Sequence, residues 1–262
     1  MGRDVSRFEV GDEVFGVTGS ACGCFAEFMC MPEDGLLGIK PANTTFEEAA
    51  SVCGALAAWN FLHDKAQVGA GQEVLVNGAS GAIGTAAIQL AKNFGAQVTA
   101  VCSPGEVELV ESLGADEVVD DTREDFTESG EVYDVVFDAE STSSYRRCRS
   151  SLADDGVYLR TFPGPLILLE MLWTSRFGRK RAIVSATGLM PIAKRRVFLD
   201  EITRLVEAGT MRSVIDRSFP LEDLAYAYRH AERGRNRGTV VVAMNRDRGT
   251  CAGTRASSGS GF

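Results

Sequence analysis

A chain of 262 residues with 45% hydrophobic content is long enough to bury one large core or two modest ones. A net charge of -9 lacks the basic footprint that nucleic acid or an anionic membrane surface demands, so both partner classes are excluded. Seven cysteines, an odd number scattered through apolar segments, argue against a disulfide framework and for a reduced, cytoplasmic setting.

No apolar run reaches the roughly 18 residues of a membrane span, since residues 166–173 are few and carry Glu170. The charged N-terminus has no apolar signal-peptide core.

Residues 1–35 hold short β-type pieces and glycine turns, at 12–17 and 25–31, which predict an antiparallel sheet or small barrel. A different pattern begins at residue 73. There 73–77 (EVLVN) reads as a strand, followed by glycines and by Ile83, Ala87, Leu90, Ala91 and Phe94 at helical spacing, with Gly95 as the stop. Residues 97–102 read as a second strand, 104–113 as a helix ended by Gly114, and 117–119 as a short third strand. Residues 132–138, 157–161 and 181–186 complete six strands. Apolar runs alternating with helix-period segments predict a parallel sheet with crossover helices. After 190 come a helix with Phe198, Ile202, Leu205 and Val206 on one face, a strand near 214–219, a helix over 221–233 and a strand at 239–243. From Arg246 the chain is small and polar, which predicts disorder over 246–262.

The run 74–84 (VLVNGASGAIG) places a glycine turn between strand and helix, where backbone N–H groups and the helix dipole receive a pyrophosphate. It matches A-x-G-x-x-G, with Ala79, Gly81 and Gly84 in the fingerprint positions. The same run nearly matches a G-x-S-x-G nucleophile elbow at Ser80, with His230 downstream as the base of a hydrolase. Against that rival, the fifth position is Ala82 and no oxyanion loop precedes it. A carboxylate at the tip of the second strand signals NAD; Ser103 stands after that strand instead and leaves space for a 2′-phosphate, which favours NADP(H) over NAD(H). Cys22, Cys24 and Cys30 lack C-x₂-C spacing and the chain has only two histidines, so no zinc site is expected.

Further segments carry a resemblance: 8–16 (FEVGDEVFG), 25–28 (FAEF), 47–50 (EEAA), 113–116 (LGAD), 214–216 (VID) and 238–242 (GTVVV). Together they resemble the medium-chain dehydrogenase/reductase superfamily, in its zinc-independent quinone oxidoreductase branch. The resemblance removes the hydrolase reading. It implies an α/β fold: a Rossmann doubly wound parallel sheet at 58–189, plus a partial GroES-like β-barrel catalytic domain from 1–57 and 190–245. It also implies a pyrophosphate held at Ser80, Gly81, Ala82, Ile83 and Gly84, with Ser103 at the adenosine ribose. Asp138, Ala139, Thr161, Phe162 and the turn at Arg237 would lie along the nicotinamide, and a homodimer would form through the sheet edge at 181–189.

The implied activity is hydride transfer from NAD(P)H to a small-molecule quinone or α,β-unsaturated carbonyl. No residue is nominated as catalytic, because placement of two π-systems carries much of such a reaction. Two alternatives stand beside it: a zinc-type alcohol dehydrogenase, with Cys53 at a ligand position, and a truncated, catalytically silent nucleotide-binding protein, since the chain begins inside the family's catalytic domain. Residues 138–141 (DAES) also depart from the family's usual Asp-x-Val-Gly.

Overall fold

The computed structural model describes residues 1–19, 23–234 and 236–244. The expected disordered tail at 246–262 lies outside them, as does Cys22. Strand β1 (Val14–Val17) pairs antiparallel with β2 (Leu36–Ile39), Val14 facing Ile39. The strand expected at 25–31 does not form. Among the described residues no strand runs beside it; Phe28 is exposed, and Phe25 sets its ring edge-on to Tyr228 at 5.7 Å.

Helix α1 (Phe46–Ala50) opens at Thr45, whose hydroxyl accepts from the Glu48 N–H while the Glu48 carboxylate accepts from the Thr45 N–H. Helix α2 (Val52–Trp59) continues into a π-helical turn, Asn60–Lys65. Then the alternating pattern takes over: β3 (Glu73–Asn77), α3 (Ala82–Asn93), β4 (Gln97–Cys102), α4 (Val107–Ser112), β5 (Glu117–Asp120), β6 (Tyr133–Asp138), α5 (Tyr145–Cys148), β7 (Leu152–Arg160), α6 (Pro165–Phe177) and β8 (Arg181–Val184). The six strands form one parallel sheet in the order β5-β4-β3-β6-β7-β8. This is the doubly wound order, in which the chain reverses its direction of travel between β3 and β6.

Period-two alternation sends neighbouring side chains of each strand to opposite faces. Val74, Val76, Val135, Phe137, Val157 and Leu159 pack on one side with α2, α3 and α7 (Ile192–Glu207). Leu75, Val136 and Tyr158 pack on the other, under Tyr145, Cys148 and Ile167. Both faces are covered, so the sheet is buried.

β7 begins at Leu152 rather than at 157, because Asp154 and Asp155 interrupt its apolar run while Leu152 still pairs with Tyr133 across a register shift. α6 has no place among the sequence-predicted elements: its residues are apolar almost all round, so they carry no helical period. The C-terminal strands β9 (Ile215–Pro220) and β10 (Thr239–Ala243) pair parallel, which the connecting helix α8 (Leu224–Ala231) makes feasible. Where a partial barrel was expected, the described residues hold two separate two-stranded sheets, β1-β2 and β9-β10. None of the described helices is long and apolar enough to cross a membrane.

Candidate functional site

The carboxyl ends of β3 and β6 diverge at the switch point and open a crevice above the sheet. The glycine turn after β3 forms its floor. Gly78 adopts φ +75°, a conformation that disfavours a side chain, and Gly81 caps the start of α3. The first-turn N–H groups of Ala82, Ile83 and Gly84 then point out of the helix end, ready for an anion. A Cβ on Gly84 would stand 2.1 Å from the Gly78 carbonyl oxygen, so only glycine lets α3 approach β3 this closely.

The last residue of β6, Asp138, is fully buried and has four donors. These are the Asn77 amide at 2.9 Å, the Tyr158 hydroxyl at 2.7 Å, and the N–H groups of Thr142 at 3.2 Å and Ser143 at 2.9 Å. Asp138 therefore stands behind the cleft wall and shapes it. Ser141 follows at φ +59°, where its hydroxyl meets the Thr161 hydroxyl at 3.0 Å and accepts from the Phe162 N–H at 3.0 Å. Thr161 in turn donates to the Ala139 carbonyl at 2.8 Å. Ala139 and Phe162 reach the cleft surface, Phe162 with 62% of its area exposed.

At the other end, Ser103 follows β4 and its N–H donates to Glu106 at 3.3 Å. Arg237 is not confined to the nicotinamide side: a Cβ on Gly105 would stand 2.9 Å from its Nη2, so the guanidinium covers the turn after β4. Its backbone is anchored by Asp216, which accepts from the Arg237 N–H at 3.3 Å and meets His230 Nε2 at 2.5 Å. The Gly238 N–H donates to the Ser80 carbonyl at 2.7 Å, tying the C-terminal strands to the glycine turn. Thus His230, the base of the discarded hydrolase reading, is held by Asp216.

Ser80, Ser103, Glu106, Asp121 and Glu140 line one half of the cleft. Gly81, Ala82, Ile83, Gly84, Ala139, Glu140 and Phe162 line the other. Glu140 and Asp121 escaped the motif reading because no spacing rule marks a loop carboxylate. Partial desolvation against the turn, then Glu106, Asp138 and Asp121, push the Glu140 carboxyl above its ordinary value, although the residue as a whole is exposed. Burial, then Glu106, push the Cys102 thiol up to about 12, so it is no thiolate nucleophile at neutral pH. A dinucleotide's pyrophosphate fits the turn at Gly81, where a Cβ would meet nothing nearer than 3.5 Å, while Gly84 packs against β3 and Gly78 lies under Glu140. Among the described residues no three His, Cys, Asp or Glu side chains converge on one point. Desolvation raises the thiol of Cys53 despite the nearby Arg195 guanidinium, although the residue is exposed.

Residues 113–242 match the family model described as zinc-binding dehydrogenase. The chain is 34% identical to the mitochondrial NAD(P)H oxidoreductase RTN4IP1 of Mus musculus; the alignment covers 92% of this chain and 66% of that protein. It is 30% identical to a chloroplastic quinone-oxidoreductase homolog of Spinacia oleracea, covering 92% of this chain and 75% of the relative. Among solved structures, the quinone oxidoreductase from Coxiella burnetii superposes with a TM-score of 0.81 at 26% identity, covering 92% of this chain and 75% of that one. The chain thus spans just under two thirds of the mouse relative and three quarters of the spinach one. With this sheet order, this glycine turn and these relatives, the chain belongs to the zinc-binding dehydrogenase family of the medium-chain dehydrogenase/reductase superfamily.

Proposed function

We propose that this protein is an NADPH-dependent oxidoreductase that delivers hydride to a quinone or an α,β-unsaturated carbonyl. The carrying observation is the glycine turn at the switch point of the parallel sheet, with the first-turn N–H groups of Ile83 and Gly84 at the start of α3. The turn binds pyrophosphate, the β4 tip takes the adenosine, and Ala139, Thr161 and Phe162 shape the nicotinamide side. A bound reduced nicotinamide supplies the hydride; the protein's part is to orient it against the acceptor and exclude water.

The preference for NADPH over NADH rests on Ser103, which brings no carboxylate to the β4 tip, and on the Arg237 guanidinium over Gly105. Wild-type protein is expected to oxidise NADPH, followed by its absorbance, with at least one member of a quinone and enone panel. Arg237→Ala should weaken NADPH binding about tenfold and NADH binding little, a difference of roughly 1.4 kcal/mol. Equal losses for both cofactors would remove the 2′-phosphate role of Arg237, and no turnover with any acceptor would remove the activity.

The partner we infer is a second copy of the chain, paired along the open side of β8, and the compartment a reducing cytoplasm. The unpaired edge of β8 and the free thiols of Cys24, Cys30, Cys53, Cys102 and Cys148 support these two readings.

A further inference from the structure

Glu140 stands where the two halves of the cleft meet. Its side chain lies on the glycine turn: a Cβ on Gly78 would be 2.4 Å from Glu140 Cγ, and one on Gly81 would be 3.5 Å from Glu140 Oε1. Among the described residues the carboxylate has no hydrogen-bond donor and no cation bonded to it. Its charged neighbours are mostly of its own sign, with Glu106 after β4, Asp121 after β5 and Asp138 ending β6. The same cleft is lined by Glu124 and Asp125, and by the cations Arg123 and Arg147, of which Arg147 pairs with Asp125 at 2.5 Å.

Resting on the nucleotide-binding reading, we propose that Glu140 occupies the pyrophosphate seat in the free protein and must leave it for the dinucleotide to bind, so that this side chain sets cofactor affinity. The reasoning is steric and electrostatic. A pyrophosphate approaching Gly78 and Gly81 meets the Glu140 side chain first, and two anions a few ångströms apart repel; among the described residues Arg123, Arg147 and Arg237 stand near this cleft, but none is bonded to Glu140. The Glu140 carboxylate takes no hydrogen bond from the first turn of α3, so it stands over the turn as an uncompensated charge rather than as a ligand of the helix end. Protonation would relieve the repulsion, and partial desolvation against the turn together with Glu106, Asp138 and Asp121 raises the pH at which this happens, although the residue stays exposed to solvent. Affinity therefore increases as pH falls toward that raised value.

The test is calorimetric titration of the full chain with ADP-ribose, which carries the pyrophosphate but no 2′-phosphate, and with adenosine 2′-monophosphate, which has no pyrophosphate. At about pH 8, Glu140→Gln and Glu140→Ala should each bind ADP-ribose at least about fivefold tighter than wild type, with adenosine 2′-monophosphate unchanged. The gap should narrow as pH is lowered, because only wild type carries the titrating group. Variants that bind ADP-ribose no tighter, or more weakly, overturn the proposal, the second result making Glu140 a ligand rather than an occupant. If neither wild type nor variants bind ADP-ribose or NADPH, the nucleotide-binding reading itself fails. A circular-dichroism melt of both variants confirms that each is folded.

Discussion

At the scale of single residues, the turn between β3 and α3 depends on atoms that are missing. Gly84 brings α3 down onto the Gly78 carbonyl, and any Cβ there would press into it and into Ala79 Cα at 2.7 Å. Gly84→Ala is therefore expected to destabilise the fold by about 1–3 kcal/mol through overpacking against backbone that cannot swing aside. A urea unfolding curve checks this, and an unchanged midpoint would refute the close-packing argument. The spacing of Ala79, Gly81 and Gly84 was readable because a motif is local in the chain. Glu140 and the guanidinium of Arg237 were not legible in those roles, since Glu140 reaches Gly78 across 62 positions of sequence and Arg237 reaches Gly105 across 132.

At the scale of elements, β4 is tied to α3 through Asp116, whose carboxylate accepts from Lys92 Nζ at 2.7 Å and from the Val98 N–H at 2.7 Å. Burial alone would raise the Asp116 carboxyl, but Lys92 and the Val98 N–H together hold it below the usual carboxylate range. A carboxyl depressed on folding adds stability above its unfolded value, and that stability is lost as pH falls through the native one. Stability should therefore drop below about pH 4, and Asp116→Asn should show a shallower acid loss in denaturant titrations. The effect is small because the pair is half-exposed and screened; identical acid slopes would refute it. The strands of the central sheet were legible because apolar runs bounded by turn residues are local signals, whereas four helices, α1, α2, α5 and α6, were not read from the sequence. α1 carries a Thr45 to Glu48 capping box that marks its start. α6 lacks any such period, and the strand expected at 25–31 found no neighbour to pair with.

At the scale of the molecule, α6 presents exposed apolar side chains, among them Leu166, Leu169, Leu172, Trp173 and Phe177, beside β8, the edge strand of the sheet among the described residues. α6 is joined to that edge strand by the Ala182 N–H, which donates to the Thr174 hydroxyl at 3.1 Å. Large exposed apolar patches mark interaction surfaces, in keeping with the proposed pairing of two copies. The double variant Leu169→Asp, Trp173→Asp should sediment as a monomer while keeping the wild-type unfolding midpoint. A wild type that already sediments as a monomer would refute the pairing.

The sequence by itself determined the alternation of strands and helices, the parallel sheet and the glycine turn, because periodicity, caps and short motifs act over a few residues. Tertiary structure decided what surrounds that turn. It sent Asp138 behind the wall, carried Arg237 to the β4 tip and laid Glu140 over Gly78. Those positions follow from how strands far apart in the chain are ordered and how loops close over their ends, and no local pattern encodes them.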